Sequence, residues 1–96
     1  MADSDNDAAG EPSSAGFPCP CCGYLTLAEP GGFEICPVCF WEDDGQGDAD
    51  AGEVRGGPNG SLSLTQARAN FRTFGACERT ALQFVRNPRF DEQRRD

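Results

Sequence analysis

Cys19-Pro20-Cys21-Cys22-Gly23 and Cys36-Pro37-Val38-Cys39 are two copies of Cys-Pro-x-Cys, with thirteen residues between Cys22 and Cys36. The repeat matters because of its geometry. A tight turn over two intervening residues lets both thiolates of a pair reach one ion. Proline fixes one backbone angle of that turn, and Gly23 can take the positive φ that follows. Two such knuckles place four sulfurs, Cys19, Cys22, Cys36 and Cys39, at about 2.3 Å from a single tetrahedral ion. A chain of 96 residues with 12 glycines buries only a modest apolar core and needs a staple of this kind. Because the unfolded chain has no preformed site, the ion would contribute of order 10 kcal/mol to folding.

Disulfides are the rival use of these cysteines. In a reducing compartment, paired Cys-x-x-Cys units read as metal ligands instead. Zinc is the expected ion, one per chain. Iron is the alternative, because Cys22-Gly23-Tyr24 and Cys-Pro-Val-Cys resemble rubredoxin knuckles, and the same sulfurs on iron would pass single electrons. Two departures count against iron: the spacer is much shorter than rubredoxin's, and Phe40 stands where its second glycine would be. A thioredoxin-type redox role lacks the surrounding βαβ pattern. Cys21 has three open readings: replacing Cys22 in a shifted register, facing solvent, or packing as a small side chain. Cys22 is the better ligand, since only it reproduces the spacing of the second pair. Cys77 reads as a buried, inert thiol ahead of a fifth ligand or redox switch.

Outward from the knuckles, Tyr24-Leu25-Thr26-Leu27 and Phe33-Glu34-Ile35 alternate apolar and polar residues around a turn with Pro30, Gly31 and Gly32, which predicts a short β-hairpin. Phe40 and Trp41 are expected to pack on the following helix rather than form an exposed patch. Glu42 to Glu53 is acidic and glycine-rich, a surface loop that completes no calcium-binding pattern. Ser63 with Gln66 forms a capping box, and Leu62 a hydrophobic staple to Ala67. Leu64, Ala67, Phe71 and Phe74 recur at helical spacing and Gly75 stops the helix. A second, shorter helix is predicted from Glu78 to Val85, presenting Ala81, Leu82 and Phe84 or Val85 before Asn87-Pro88. The fold class is a small α+β domain: a zinc-ribbon-like β-hairpin with two Cys-Pro-x-Cys knuckles packed on one or two C-terminal helices. Its expected limits are residues 17–88, between a disordered acidic tail (1–16) and a charged, frayed C-terminus (89–96).

Charge narrows the function. All eight arginines lie at or beyond Arg55, and twelve of the sixteen acidic residues lie at or before Glu53, so the halves carry −12 and +4 within a net charge of −8. Lysine is absent. General affinity for nucleic acid is not expected, since it rests on neutralising phosphates. An acidic start without an apolar stretch, and no run near the roughly 20 apolar residues of a membrane span, point to a cytoplasmic protein without membrane contact. With no histidine and four cysteines closing the site, no catalytic constellation stands out. Hydrolysis would need an open metal with Asp43 or Asp44 beside it.

Phe17-Pro-Cys-Pro-Cys-Cys-Gly-Tyr24, continued by Phe33-Glu-Ile-Cys-Pro-Val-Cys-Phe-Trp-Glu-Asp-Asp-Gly45, resembles the bacterial cysteine-rich CPCC family. The stretches from Gly56-Gly-Pro-Asn-Gly to Phe71 and Phe74-Gly-Ala-Cys77 resemble it too, so the likeness covers about residues 17 to 88. It implies a metal-binding domain that includes the helix, and it assigns no activity. The expected role is a metal-stabilised protein-interaction module whose specificity lies in the acidic loop, Trp41 and the outer helix faces.

Overall fold

The computed structural model describes residues 16–93. The expected acidic tail therefore lies outside the described residues except for Gly16, as do residues 94–96. Within them the chain makes two successive reversals, each with a knuckle at its tip. β1 (Phe17–Pro18) runs antiparallel to β2 (Leu25–Leu27), with Phe17 opposite Leu27. Gly16 leads into β1 where a Cβ would sit 2.8 Å from the Leu27 carbonyl oxygen, so only glycine allows that approach.

The second reversal joins residues 33–36 to 41–43. Ile35 bridges Glu42, Phe33 N donates to Asp43 O, and Asp43 N donates to Glu34 O, both at 2.9 Å. This corrects the strand pairing drawn from sequence. A two-stranded hairpin is present, but Leu25–Leu27 takes Phe17–Pro18 as partner and Phe33–Ile35 pairs onward with residues 41–43. The turn between them links two reversals, and the Glu34 carboxylate fixes it by accepting from Ala28 N and Glu29 N.

α1 (Leu64–Phe74) forms where its local signals place it, with the Ser63 half of the expected capping box but not the Gln66 half. Ser63 Oγ accepts from Gln66 N at 3.0 Å, and Gly75 at φ 95° closes the helix through Gly75 N to Phe71 O. The Gln66 side chain runs forward to Asn70 Oδ1, 2.8 Å away. Leu64 and Ala67 are fully buried, and Leu62, Phe71 and Phe74 pack at the edge of the same core. That core is unusual in content: of its six largest fully buried side chains, Trp41, Leu27 and Leu64 share the interior with Cys19, Cys36 and Cys39.

The second helix differs from expectation. Residues Arg79–Phe84 form a 3-10 helix, Ala81 alone is buried, and Leu82 and Phe84 point outward. The chain leaves it extended at Val85 (φ −96°, ψ 160°), because Arg86 N is drawn to Pro37 O at 3.0 Å. Beyond it, Phe90–Glu92 makes a further 3-10 turn against β2. Glu92 is held there by both guanidinium nitrogens of Arg86, each at 2.8 Å, and by Arg89 N. No helix among the described residues is long and apolar enough to cross a membrane.

Candidate metal centre

Each knuckle repeats the same backbone bonds. Cys19 N donates to Tyr24 O and Cys36 N to Trp41 O, both at 2.9 Å; Gly23 N donates to Cys19 O and Phe40 N to Cys36 O, both at 2.8 Å. Gly23 has φ 84° and its counterpart Phe40 has φ 74°. The prolines also correspond, since Pro20 O accepts from Arg68 Nε at 2.8 Å and Pro37 O from Arg86 N.

These turns bring Cys19, Cys22, Cys36 and Cys39 together as one buried group whose sulfurs all lie within 4.8 Å of one another. Cys19 Sγ stands 3.6 Å from Cys39 Sγ, and Cys22 Sγ stands 3.7 Å from Cys36 Sγ. Exchanging the knuckles, Cys19 for Cys36 and Cys22 for Cys39, maps one of these distances onto the other. Four sulfurs about 2.3 Å from a tetrahedral ion stand roughly 3.8 Å apart along every edge. The measured spacings fit that figure and are far from the roughly 2.05 Å of a disulfide. All six cysteines are free thiols.

A model of the family described as Cysteine-rich CPCC matches residues 17–92. The chain belongs to the cysteine-rich CPCC family. The match begins at the first residue of β1 and ends at Glu92, so this CPCC domain includes the C-terminal arm that crosses the second knuckle. A comparison with curated proteins finds no match.

The surroundings of Cys36 favour thiolate. Thr26 Oγ1 lies 3.0 Å from Cys36 Sγ, Val38 N donates to Cys36 Sγ at 3.4 Å, and Trp41 N donates to Cys39 Sγ at 3.5 Å. The neighbouring thiols, Cys19 foremost, hold Cys36 well below the usual thiol range. Cys22 and Cys39 are raised, again through Cys19 first, because they supply the protons. Cys36 is thus pushed opposite to Cys22 and Cys39, and a divalent ion that binds thiolates would remove that conflict.

The other candidates fall outside this group. Cys21 is buried in the core, so the solvent-facing reading does not hold, and Cys22 occupies the fourth corner. Cys77 is also buried, and burial pushes its thiol up to about 12, as befits an inert side chain. Asp43 and Asp44 do not join the sulfurs. Asp43 accepts from Gly31 N and Gly45 N, and Asp44 Oδ1 accepts from Gln46 N. Trp41, expected to share in surface recognition, is fully buried and has no outward face to offer.

The acidic loop is more built than its composition suggests. Asp43 and Gln46 are each 3% exposed. Asn59 clamps the loop's start by accepting from Glu42 N and donating to Glu42 O. Gln46 Nε2 donates to Asp50 O and Glu53 O, both at 2.9 Å. A glutamine among many acids was the only sequence signal for this anchoring.

Proposed function

We propose that this chain is a small cytoplasmic zinc-binding protein in which the ion is structural and the outer surface serves as a protein-interaction module. The closure of the sulfur tetrahedron carries this reading. Four buried protein sulfurs at tetrahedral spacing leave no position for water or substrate, which separates a structural centre from a catalytic one. Free thiols at these distances suit a reducing compartment. The binding face is assigned to the acidic loop, whose Asp48 and Glu53 side chains are exposed while paired with Arg68 and Arg55.

Capture of partners by the zinc-loaded chain, beside a variant carrying Asp48→Asn and Glu53→Gln, tests the module. A partner retained by the native chain and lost by the variant, at equal zinc content and helicity, supports it. Equal capture by both removes the loop from the reading. A second reading, an iron electron carrier, shares the tetrahedron and its N–H···S bonds from Val38 and Trp41. A red, reducible protein as purified would favour it, and a colourless protein with one zinc per chain excludes it.

A further inference from the structure

Asn59 alone of the four asparagines is followed by glycine. That pairing carries a chemistry of its own. Once deprotonated, the Gly60 backbone nitrogen can attack the Asn59 side-chain carbon Cγ, and a residue without Cβ leaves the approach unhindered. The bond from Cγ to Nδ2 breaks, and Nδ2 departs as ammonia with the proton that Gly60 N gave up. Water then opens the resulting cyclic imide at either carbonyl. The product is a carboxylate, as aspartate or as isoaspartate with the backbone rerouted through the side chain.

The folded chain holds both reacting groups away from this path. Asn59 Oδ1 accepts from Glu42 N at 3.1 Å and Nδ2 donates to Glu42 O at 2.8 Å, so neither amide atom is free to swing toward Gly60. Gly60 N is engaged as well, donating to Gly57 O at 3.1 Å. Only local bonds keep this arrangement. The 3-10 turn Gly57–Asn59 buries no residue, and Gly57, Pro58, Gly60 and Ser61 are exposed. Segments that bury so little open without global unfolding.

Closing again requires the amide. Asn59 Nδ2 faces Glu42 O and stands 3.5 Å from Asp44 Oδ2. An ionised carboxylate in its place has no proton to donate, and it meets a carbonyl oxygen and a second carboxylate. We infer that Asn59 is a deamidation site guarded by its own clamp on Glu42: opening of the clamp exposes it, and the product cannot re-form the clamp. The reaction records opening of the acidic loop covalently and in one direction. It depends on neither the identity of the metal nor the presence of a partner.

Incubation of the full chain as purified, at mildly alkaline pH and beside the same chain in urea, tests it through peptide mapping by mass spectrometry with isoaspartate labelling. In urea, Asn59 should convert at least tenfold faster than Asn70, which precedes Phe71, while Asn87 is spared this route because Pro88 has no N–H. In buffer, conversion at Asn59 should fall at least tenfold below its urea rate. Gly60→Ala should slow the urea reaction severalfold, a result that needs no folding. Asn59→Asp should speed hydrogen exchange at Glu42 N at least tenfold. Equal rates at Asn59 in buffer and urea, or no excess over Asn70 in urea, overturns the inference even if either variant fails to fold. Unchanged exchange at Glu42 N in Asn59→Asp overturns the one-way step.

Discussion

The two knuckles have the same backbone bonds and contribute equivalent sulfurs, yet they sit differently in the molecule. In the second, Val38 and Trp41 are buried to 2% exposure or less, Cys77 N reaches Cys39 O, and the arm binds Pro37 O. In the first, the counterparts are Cys21 and Tyr24; Tyr24 is only partly buried, meeting Phe71 edge-on at 6.3 Å, and Pro20 O is bound by a side chain. The ligand geometry therefore depends on the repeated tetrapeptide, while the residues between and after the cysteines decide which knuckle becomes core. The second is the anchor and the first closes onto it.

The ligands give the largest effect. Removing the metal with a chelator should unfold the chain, since the ion contributes of order 10 kcal/mol, and circular dichroism should show loss of α1. Cys39→Ser should abolish stoichiometric binding. Cys22→Ser should retain weaker binding through the adjacent Cys21, a spare that the second knuckle lacks because Val38 stands there. Metal titration of both variants and of Cys21→Ser/Cys22→Ser checks this difference; equal loss in Cys22→Ser and Cys39→Ser would remove Cys21 from the comparison.

Packing comes next. Trp41→Ala should cost about 3–5 kcal/mol and Tyr24→Ala about 1–2 kcal/mol, read as denaturant midpoints at fixed metal. Similar losses at the two positions would contradict the anchor assignment.

A smaller contrast lies in the residue after each pair. Gly23 and Phe40 share a positive φ, which costs a side-chain-bearing residue about 1–2 kcal/mol. Phe40 offsets this by stacking on Phe84, ring centroids 5.2 Å apart, a contact worth about 0.5–1.5 kcal/mol. Phe40→Ala keeps the strain and loses the ring, so it should be less stable than Phe40→Gly by about 1 kcal/mol. Gly23→Ala should destabilise by about 1–2 kcal/mol. Thermal unfolding of the three variants decides whether the ring or the backbone governs this position.

The smallest effect concerns the arm over the second knuckle. Arg86 holds the Glu92 carboxyl below its usual value of 4.5. A lowered carboxylate contributes stability that is complete above its unfolded value and is lost as pH falls through the native one. The native chain's advantage over Glu92→Gln should stay constant from pH 7 to about pH 5 and shrink below about pH 4.5. An advantage that grows on acidification would contradict the ion pair's role.

The parts legible in the sequence are those set by neighbouring residues. Ser63, Gln66 and Gly75 bound α1 through backbone groups within a turn of each, and the repeated tetrapeptide brings four sulfurs into one group. Strand pairing was not legible from the alternation in residues 24–35. Each knuckle is itself a chain reversal, so its flanks pair with each other, and the Pro30-Gly31-Gly32 turn is left to connect two reversals. The 3-10 form of Arg79–Phe84 depends on two distant anchors, Phe40 and Pro37, which no local period encodes. Asp43 looks like one more solvated acid; its burial depends on Gly31, twelve residues away.

X-ray absorption at the metal edge, on protein purified without added metal and with its elemental content measured, tests the central claim most directly. The account predicts one zinc per chain with four sulfur neighbours at about 2.3 Å and no oxygen or nitrogen in the first shell. A chain that carries no metal, or an ion with fewer than four sulfurs and a bound water, would contradict it.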